Sequence, residues 1–296
     1  MSGRALRTTV AAPETVTRSA AAVPFWRYLN PVHLLRTTWR GRALIIQFTR
    51  RDIEGRYRSS LLGLAWSFVN PLVLLLVYTF VFGAVLKQRW PGAASDRLSE
   101  FGLVMFAGII AYGLFSECVS RAPTLIVGVP NYVKRVVFPL ELLPFSVLGS
   151  ALFHTAVSFG VLLILHVAMG GGIAWTWLLI PVVLLPAVFI SLGLLWAFAS
   201  LGVFVRDLGY LVALVVQVLF FLTPVFYPIE AVPERVRRVI AWNPLASVVT
   251  GVRAAIFPGM TVPWTALLVS SALGLFLMMI GYAWFMRTRR SFGDVL

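Results

Sequence analysis

A chain of 296 residues with 59% hydrophobic residues, 12% charged residues and a mean hydropathy of +0.89 is not a soluble domain, since roughly 25% charged residues is usual there. The formal net charge of +14 comes from cations that flank apolar runs. That placement excludes a nucleic-acid footprint and suits attraction to anionic headgroups of membrane lipids. The single cysteine, Cys118, excludes an internal disulfide and a cysteine metal cluster.

Residues 1–24 are rich in Ala, Thr, Ser and Arg, with Glu14 the only acid. Residues 1–30 therefore read as a disordered cytoplasmic leader, with an organelle transit sequence as the competing reading. Residues 31–58 read as an amphipathic helix at the membrane interface. Projected at 100° per residue, Leu35, Trp39 and Ile46 form one stripe, while Arg36, Arg40, Gln47 and Arg51 form another. Arg42 interrupts the apolar side and has to snorkel. Such a helix is either a surface anchor or, through Arg50, Arg51, Arg56 and Arg58, a landing site for an anionic headgroup or diphosphate, because guanidiniums pair bidentately with phosphate.

No formal charge occurs between Arg58 and Lys87, a run longer than the roughly 20 residues needed to cross a bilayer. Further uncharged runs, one of them broken at Gly170, Gly171 and Gly172, bring the total to six spans within residues 59–290: about 61–86, 101–120, 140–168, 176–204, 208–228 and 263–286. Runs of this length without strict alternation are helices, so the chain is an all-α integral membrane protein with six transmembrane helices. With the N-terminus inside, all the 25 lysines and arginines except Lys87, Arg89, Arg97, Arg235, Arg237, Arg238 and Arg253 fall on the inner side. Both termini are therefore expected in the cytoplasm.

Two segments between spans are neither polar loops nor spans. At 123–138, prolines and a glycine bracket a short helical piece around Asn131 to Val137 that calls for a partner surface. At 230–256, Val232, Val236, Val239 and Ile240 share a helical face, and Asn243-Pro244 restarts the chain, which predicts two short external helices. The span before them ends in FFLTPVFYPIE, where Pro224 and Pro228 forbid a regular helix. Broken helix at membrane depth survives only when buried in protein or lining an aqueous cavity.

Several chemistries are absent. Neither lysine, Lys87 or Lys134, lies in a Gly-Lys-Ser/Thr turn, so the chain has no P-loop. Ser150 and His154 are four apart on the third span but lack a third orienting group or a nucleophile elbow, and read as ordinary helix packing. His154 and His166 point about 120° apart, so a shared metal is not expected. Glu117, with Arg121 one turn on, and the Arg206-Asp207 pair sit near inner boundaries and read as structural rather than as a proton relay. Any pore is lined by aromatics, with Trp66, Tyr78, Phe82, Trp196, Phe220, Phe221, Phe226 and Tyr227 as candidates. Each of these also suits ordinary core or lipid-facing packing.

The segments RRDIEGRYRSSLLGLAWSFVNPLVLLLVYTFVFG, FSECVSRAPTLIVGVPNYVKRVVFPLELLP, VFVRDLGYL and TPVFYPIEAVPERVRRVIAWNPL, in this order and spacing, resemble the permease subunit of type-2 ABC exporters of polysaccharides. The likeness covers about residues 40–290 and is greatest to O-antigen exporters, with teichoic acid and capsule exporters as relatives. It implies a homodimer in the bacterial inner membrane bound to two copies of a nucleotide-binding ATPase subunit. ATP and Mg would sit on that partner, with no cofactor or metal on this chain, which is not itself an enzyme. The cargo would be a glycan on undecaprenyl diphosphate. By the same resemblance, Arg51, Arg56 and Arg58 would meet the lipid diphosphate, and Trp66, Tyr78, Phe82, Phe220, Phe226 and Tyr227 would line the glycan path. Asn131, Tyr132, Lys134 and Arg135 would form the coupling helix on the ATPase, and residues 230–256 the gate helices. The alternative is a permease of the same fold that exports a different lipid-linked polymer, such as teichoic acid or capsule, or a small lipid or drug.

Overall fold

The computed structural model describes residues 29–58, 60–85, 98–134 and 138–296, and every regular element among them is helical. Most of the expected leader and all of Arg135 lie outside the described residues.

Helix α1 (Pro31–Tyr57) begins where Asn30 accepts the Val32 amide at 2.9 Å, with Pro31 in a first turn that needs no N–H from it. Its apolar stripe, Leu35, Trp39 and Ile46, is exposed, while Leu34, Gly41 and Tyr57 are buried. The third span enters through a 3₁₀ turn at Leu140–Leu142 and continues as α5 (Leu143–Ala168). A side chain at Gly41 would collide with Leu142, and one at Gly149 would collide with Thr49. Farther on, Arg56 reaches His154. Contacts that advance together along both helices mean that α1 runs beside the first half of α5. Its C-terminal turn therefore lies halfway along a span.

The first span is composite: a 3₁₀ turn at Gly63–Ala65, α2 (Trp66–Tyr78) with Pro71 inside it, and a widened π-helical stretch at Thr79–Val85. It is largely open, with 17% of its apolar window buried. By contrast, 78% is buried for the second span, which is α3 (Leu98–Arg121) and the 3₁₀ turn that follows it. Helix α3 is thus the centre of the bundle. Behind it, α6 (Ile180–Phe204) and α10 (Trp264–Thr288) cross at glycines: a side chain at Gly281 would overlap the Gly193 carbonyl, and one at Gly193 would overlap the Leu277 backbone. Lipid tails supply no hydrophobic drive between helices, so close approach of small residues is what holds such a pair.

Among the described residues, five helices are long and apolar enough to cross a membrane, or six if the bent pair described below is one span. The expected fifth span differs from them. Helix α7 covers only Leu208–Leu222, about 22 Å at 1.5 Å per residue, because Pro224 and Pro228 end it, and 223–228 is non-helical. The chain then enters α8 (Glu234–Ala241) and α9 (Pro244–Ile256), bent by 94° at Asn243. Of the two helices expected at 230–256, α8 has only Ile240 buried among its residues. Almost every residue from Leu245 to Ile256 is buried, so α9 re-enters the bundle against α3, α6 and α10. Of the coupling segment, α4 covers Pro130–Lys134, and 135–137 lie outside the described residues.

Candidate functional site

Where α1, α3 and α5 meet, five charged side chains and an imidazole converge. Arg121 on α3 donates two hydrogen bonds to the Asp52 carboxylate on α1, at 2.8 and 2.5 Å. Burial works against a charged Asp52, but those bonds and the Arg121 charge hold its carboxyl below the usual carboxylate range. Arg56 donates to Oε1 of Glu117 at 2.5 Å and lies 3.3 Å from Nδ1 of His154, which is itself 3.2 Å from the same carboxylate oxygen. Arg121 adds a second guanidinium to Oε1, at 3.8 Å. Arg51 donates to the Tyr132 hydroxyl of α4 at 2.7 Å and lies over the Phe48 ring. Tyr132 stacks on Phe138, and both rings contact Phe48. Three guanidiniums against two carboxylates leave the junction net positive.

A cavity of about 430 Å³ opens here, lined by Arg51, Asp52, Arg56, Arg121 and Tyr132 among others. Of the three arginines expected at a diphosphate, the structure brings Arg51 and Arg56 to this cavity and adds Arg121. Arg58, at the exposed C-terminus of α1, does not line it. Tyr132 of the coupling set joins the same cavity. Asn131 is exposed, and Lys134 lies at the end of α4.

The aromatic residues divide. Phe82 and Phe226 stack at 5.3 Å, with Tyr78 and Phe220 at 5.8 and 4.8 Å from Phe226. Tyr112 of α3 extends the group by touching Phe220 and donating to the Val216 carbonyl. Tyr227 stands beside it, its hydroxyl donating to the Phe221 carbonyl at 2.9 Å. Trp66 is elsewhere, bonded to Ser60 at the start of the first span. Trp196 belongs to the core: it is fully buried, donates to the Glu141 carbonyl at 3.1 Å and packs edge-on against Phe145 and Tyr282.

Arg253 is not a solvated loop charge: it is 3% exposed within α9 and donates to the carbonyls of Val104, Pro224 and Val225 at 3.0, 2.6 and 2.5 Å. The break that the prolines open after α7 is satisfied by this guanidinium. A cation between Gly251-Val252 and Ala254-Ala255 was the available signal. Glu117 has the expected Arg121 partner one turn on, and Arg56 of α1 also reaches Glu117 and His154, from 61 and 98 residues away.

A bundle of long apolar helices with a sharply bent helix pair packed into it, an amphipathic N-terminal helix and a cationic cavity beside a short loop helix has the parts of a transporter's membrane domain. The chain belongs to the ABC-2 type transporter family, whose model matches residues 43–257, and it is a multi-pass protein of the bacterial inner membrane. It is 29% identical over 265 residues to the O-antigen export system permease protein RfbA of Myxococcus xanthus, covering 89% of this chain and 99% of that one. A Klebsiella pneumoniae protein of the same name is 26% identical over 255 residues, covering 86% and 95%. The polysialic acid transport protein KpsM of Escherichia coli is 26% identical over 251 residues, covering 81% and 90%.

Proposed function

We propose that this chain is the membrane-spanning subunit of an ATP-driven exporter that carries polysaccharide linked to undecaprenyl diphosphate across the inner membrane. It would work as a homodimer with two copies of a separate ATPase subunit. The names of the relatives point to polysaccharide cargo. The observation that carries the finer reading is the cavity that Arg51, Arg56 and Arg121 line together, with Tyr132 of the loop helix closing the same space. A diphosphate brings two acidic groups that fork-shaped guanidiniums bind well. It would compete with the Tyr132 hydroxyl for Arg51, so that substrate arrival is felt by the segment expected to rest on the ATPase. Closure of the nucleotide-bound ATPase pair would push on α4 and, through Tyr132 and Phe138, on α1. The glycan would then pass the Tyr78, Phe82, Phe220 and Phe226 rings, whose faces suit the apolar faces of sugars.

Vesicles containing the chain and its ATPase test this. Wild type should accumulate lipid-linked polysaccharide on the far leaflet only with ATP, and Arg51→Ala with Arg56→Ala should reduce that rate at least tenfold while leaving membrane insertion intact. Unchanged transport in the double variant would overturn the reading.

A further inference from the structure

On the other side of Arg56 lies a second, smaller cavity of about 220 Å³, between the end of α1 and the helices α2, α3 and α5. Its polar wall differs from that of the first: Ser67, Asn70, Thr155, Ser158, Glu117 and His154 line it, against an apolar wall that includes Leu74 and Ile110. Arg56 is the side chain that lines both cavities and also reaches Glu117.

The chemistry of the wall selects the ligand. Among the described residues, the hydrogen bonds and ion pairs of Glu117 converge on Oε1. Its Oε2 accepts from no described residue, and the side chain, 20% exposed, lines the cavity. Glu117 lines only this cavity, and an open carboxylate oxygen repels a second phosphate. Arg56 and Arg121 around that carboxylate disfavour a cation. What remains is a neutral group rich in hydroxyls: O–H donors for Oε2, and groups of either kind for Asn70, Thr155 and Ser158, for none of which the structure gives a hydrogen bond to another described residue. His154 takes no direct part, because its Nε2 is sealed and its Nδ1 edge serves Arg56 and Glu117. The volume lies below the roughly 300–1,000 Å³ of drug-sized sites, enough for one ring and not for a chain.

We infer that this cavity is a recognition pocket for the single sugar joined directly to the diphosphate, with Glu117 and Asn70 as its specificity-determining residues. The inference rests on the diphosphate reading of the neighbouring cavity. The two cavities meet at Arg56 in the order in which diphosphate and sugar are bonded, so one ligand fills both. The exporter then reads which sugar begins the chain as well as the lipid that carries it.

The test uses the full chain in lipid nanodiscs and three probes: farnesyl diphosphate, and farnesyl diphosphate bearing one N-acetylglucosamine or one galactose. Bonds of hydroxyls to a carboxylate should make at least one glycosylated probe bind about tenfold tighter or more than the bare one. Gly113→Leu is the filling variant. Gly113 lines the pocket, and a Cβ there meets no atom within 4 Å, so the helix accepts it while the leucine occupies the space. It should erase the preference and leave bare-probe affinity unchanged, and Asn70→Ala should reduce the preference about tenfold. Equal binding of all three probes to wild type, or a preference that survives Gly113→Leu, overturns the pocket. Arg51→Ala should weaken all three probes alike; if it weakens none, the underlying diphosphate reading fails instead, whatever the sugar preference.

Discussion

Replacing Arg253 by methionine should unfasten the end of the bundle at which α7 breaks. In the native chain its guanidinium serves the carbonyls of Pro224 and Val225, both in the non-helical stretch 223–228, and that of Val104 in α3. The Val104 carbonyl sits within a helix and keeps its ladder bond. The other two lose their donor at a depth where water does not substitute. At about 1–3 kcal/mol for each orphaned buried carbonyl, the loss comes to about 2–6 kcal/mol. Arg253→Lys keeps the charge but not the fork, and should lose about half as much. A Cβ at Gly108 would press on the same guanidinium, so Gly108→Ala should show part of the defect without touching the arginine. Reversible unfolding by dodecyl sulfate in mixed micelles measures all three. An Arg253→Met chain within about 0.5 kcal/mol of wild type would refute the idea that this residue holds the proline break, since surface substitutions already fall in that range.

Asp52→Asn should cost about 1–2 kcal/mol at neutral pH, a value between exposed and fully buried pairs. Because the folded carboxyl titrates below its unfolded value of about 3.9, that contribution is present above about pH 4 and disappears as pH falls through the folded value. Stability curves of wild type and variant should be parallel from pH 5 to 8 and meet in acid. A gap that persists at pH 2 would assign the loss to packing instead. Gly281→Ala, which forces α10 off the Gly193 carbonyl, should destabilise by more than about 2 kcal/mol. Gly55→Ala on α1, whose Cβ meets nothing within 4 Å, should be neutral or stabilise by up to about 1 kcal/mol in the same unfolding assay. Lys134→Glu with Arg135→Glu should abolish export and stimulation of the partner ATPase while leaving insertion intact; normal export by that variant would detach the α4 segment from coupling.

What could be read along the chain was what neighbours in sequence determine. An uncharged run such as 59–86 has one solution in lipid, and Asn30-Pro31 and Asn243-Pro244 start helices through bonds that span two residues. Even the end of α7 was visible, because a proline acts on its own turn. Hydropathy reports only that a segment is apolar, however, and α9 is apolar both as an external helix and as a re-entrant one. Its burial follows from α3, α6 and α10 closing around it, which no local period records.

The candidate site was hidden for a related reason. Charge counting treats each arginine as a solvated mark of sidedness, and Arg50, tied to Glu54 one turn away, is indeed exposed to water. Arg56, Arg121 and Arg253 carry the same formal charge, but they are paired with groups 61, 69 and up to 149 residues distant. Burying a guanidinium costs several kcal/mol unless it is matched by carboxylates or carbonyls, so each such arginine has to be positioned by the fold before it can perform any task. The same reasoning places Glu117 and His154. On α3 and α5 alone they are a boundary acid and a packing histidine, and they become one wall of a pocket only when α1 brings Arg56 halfway along α5.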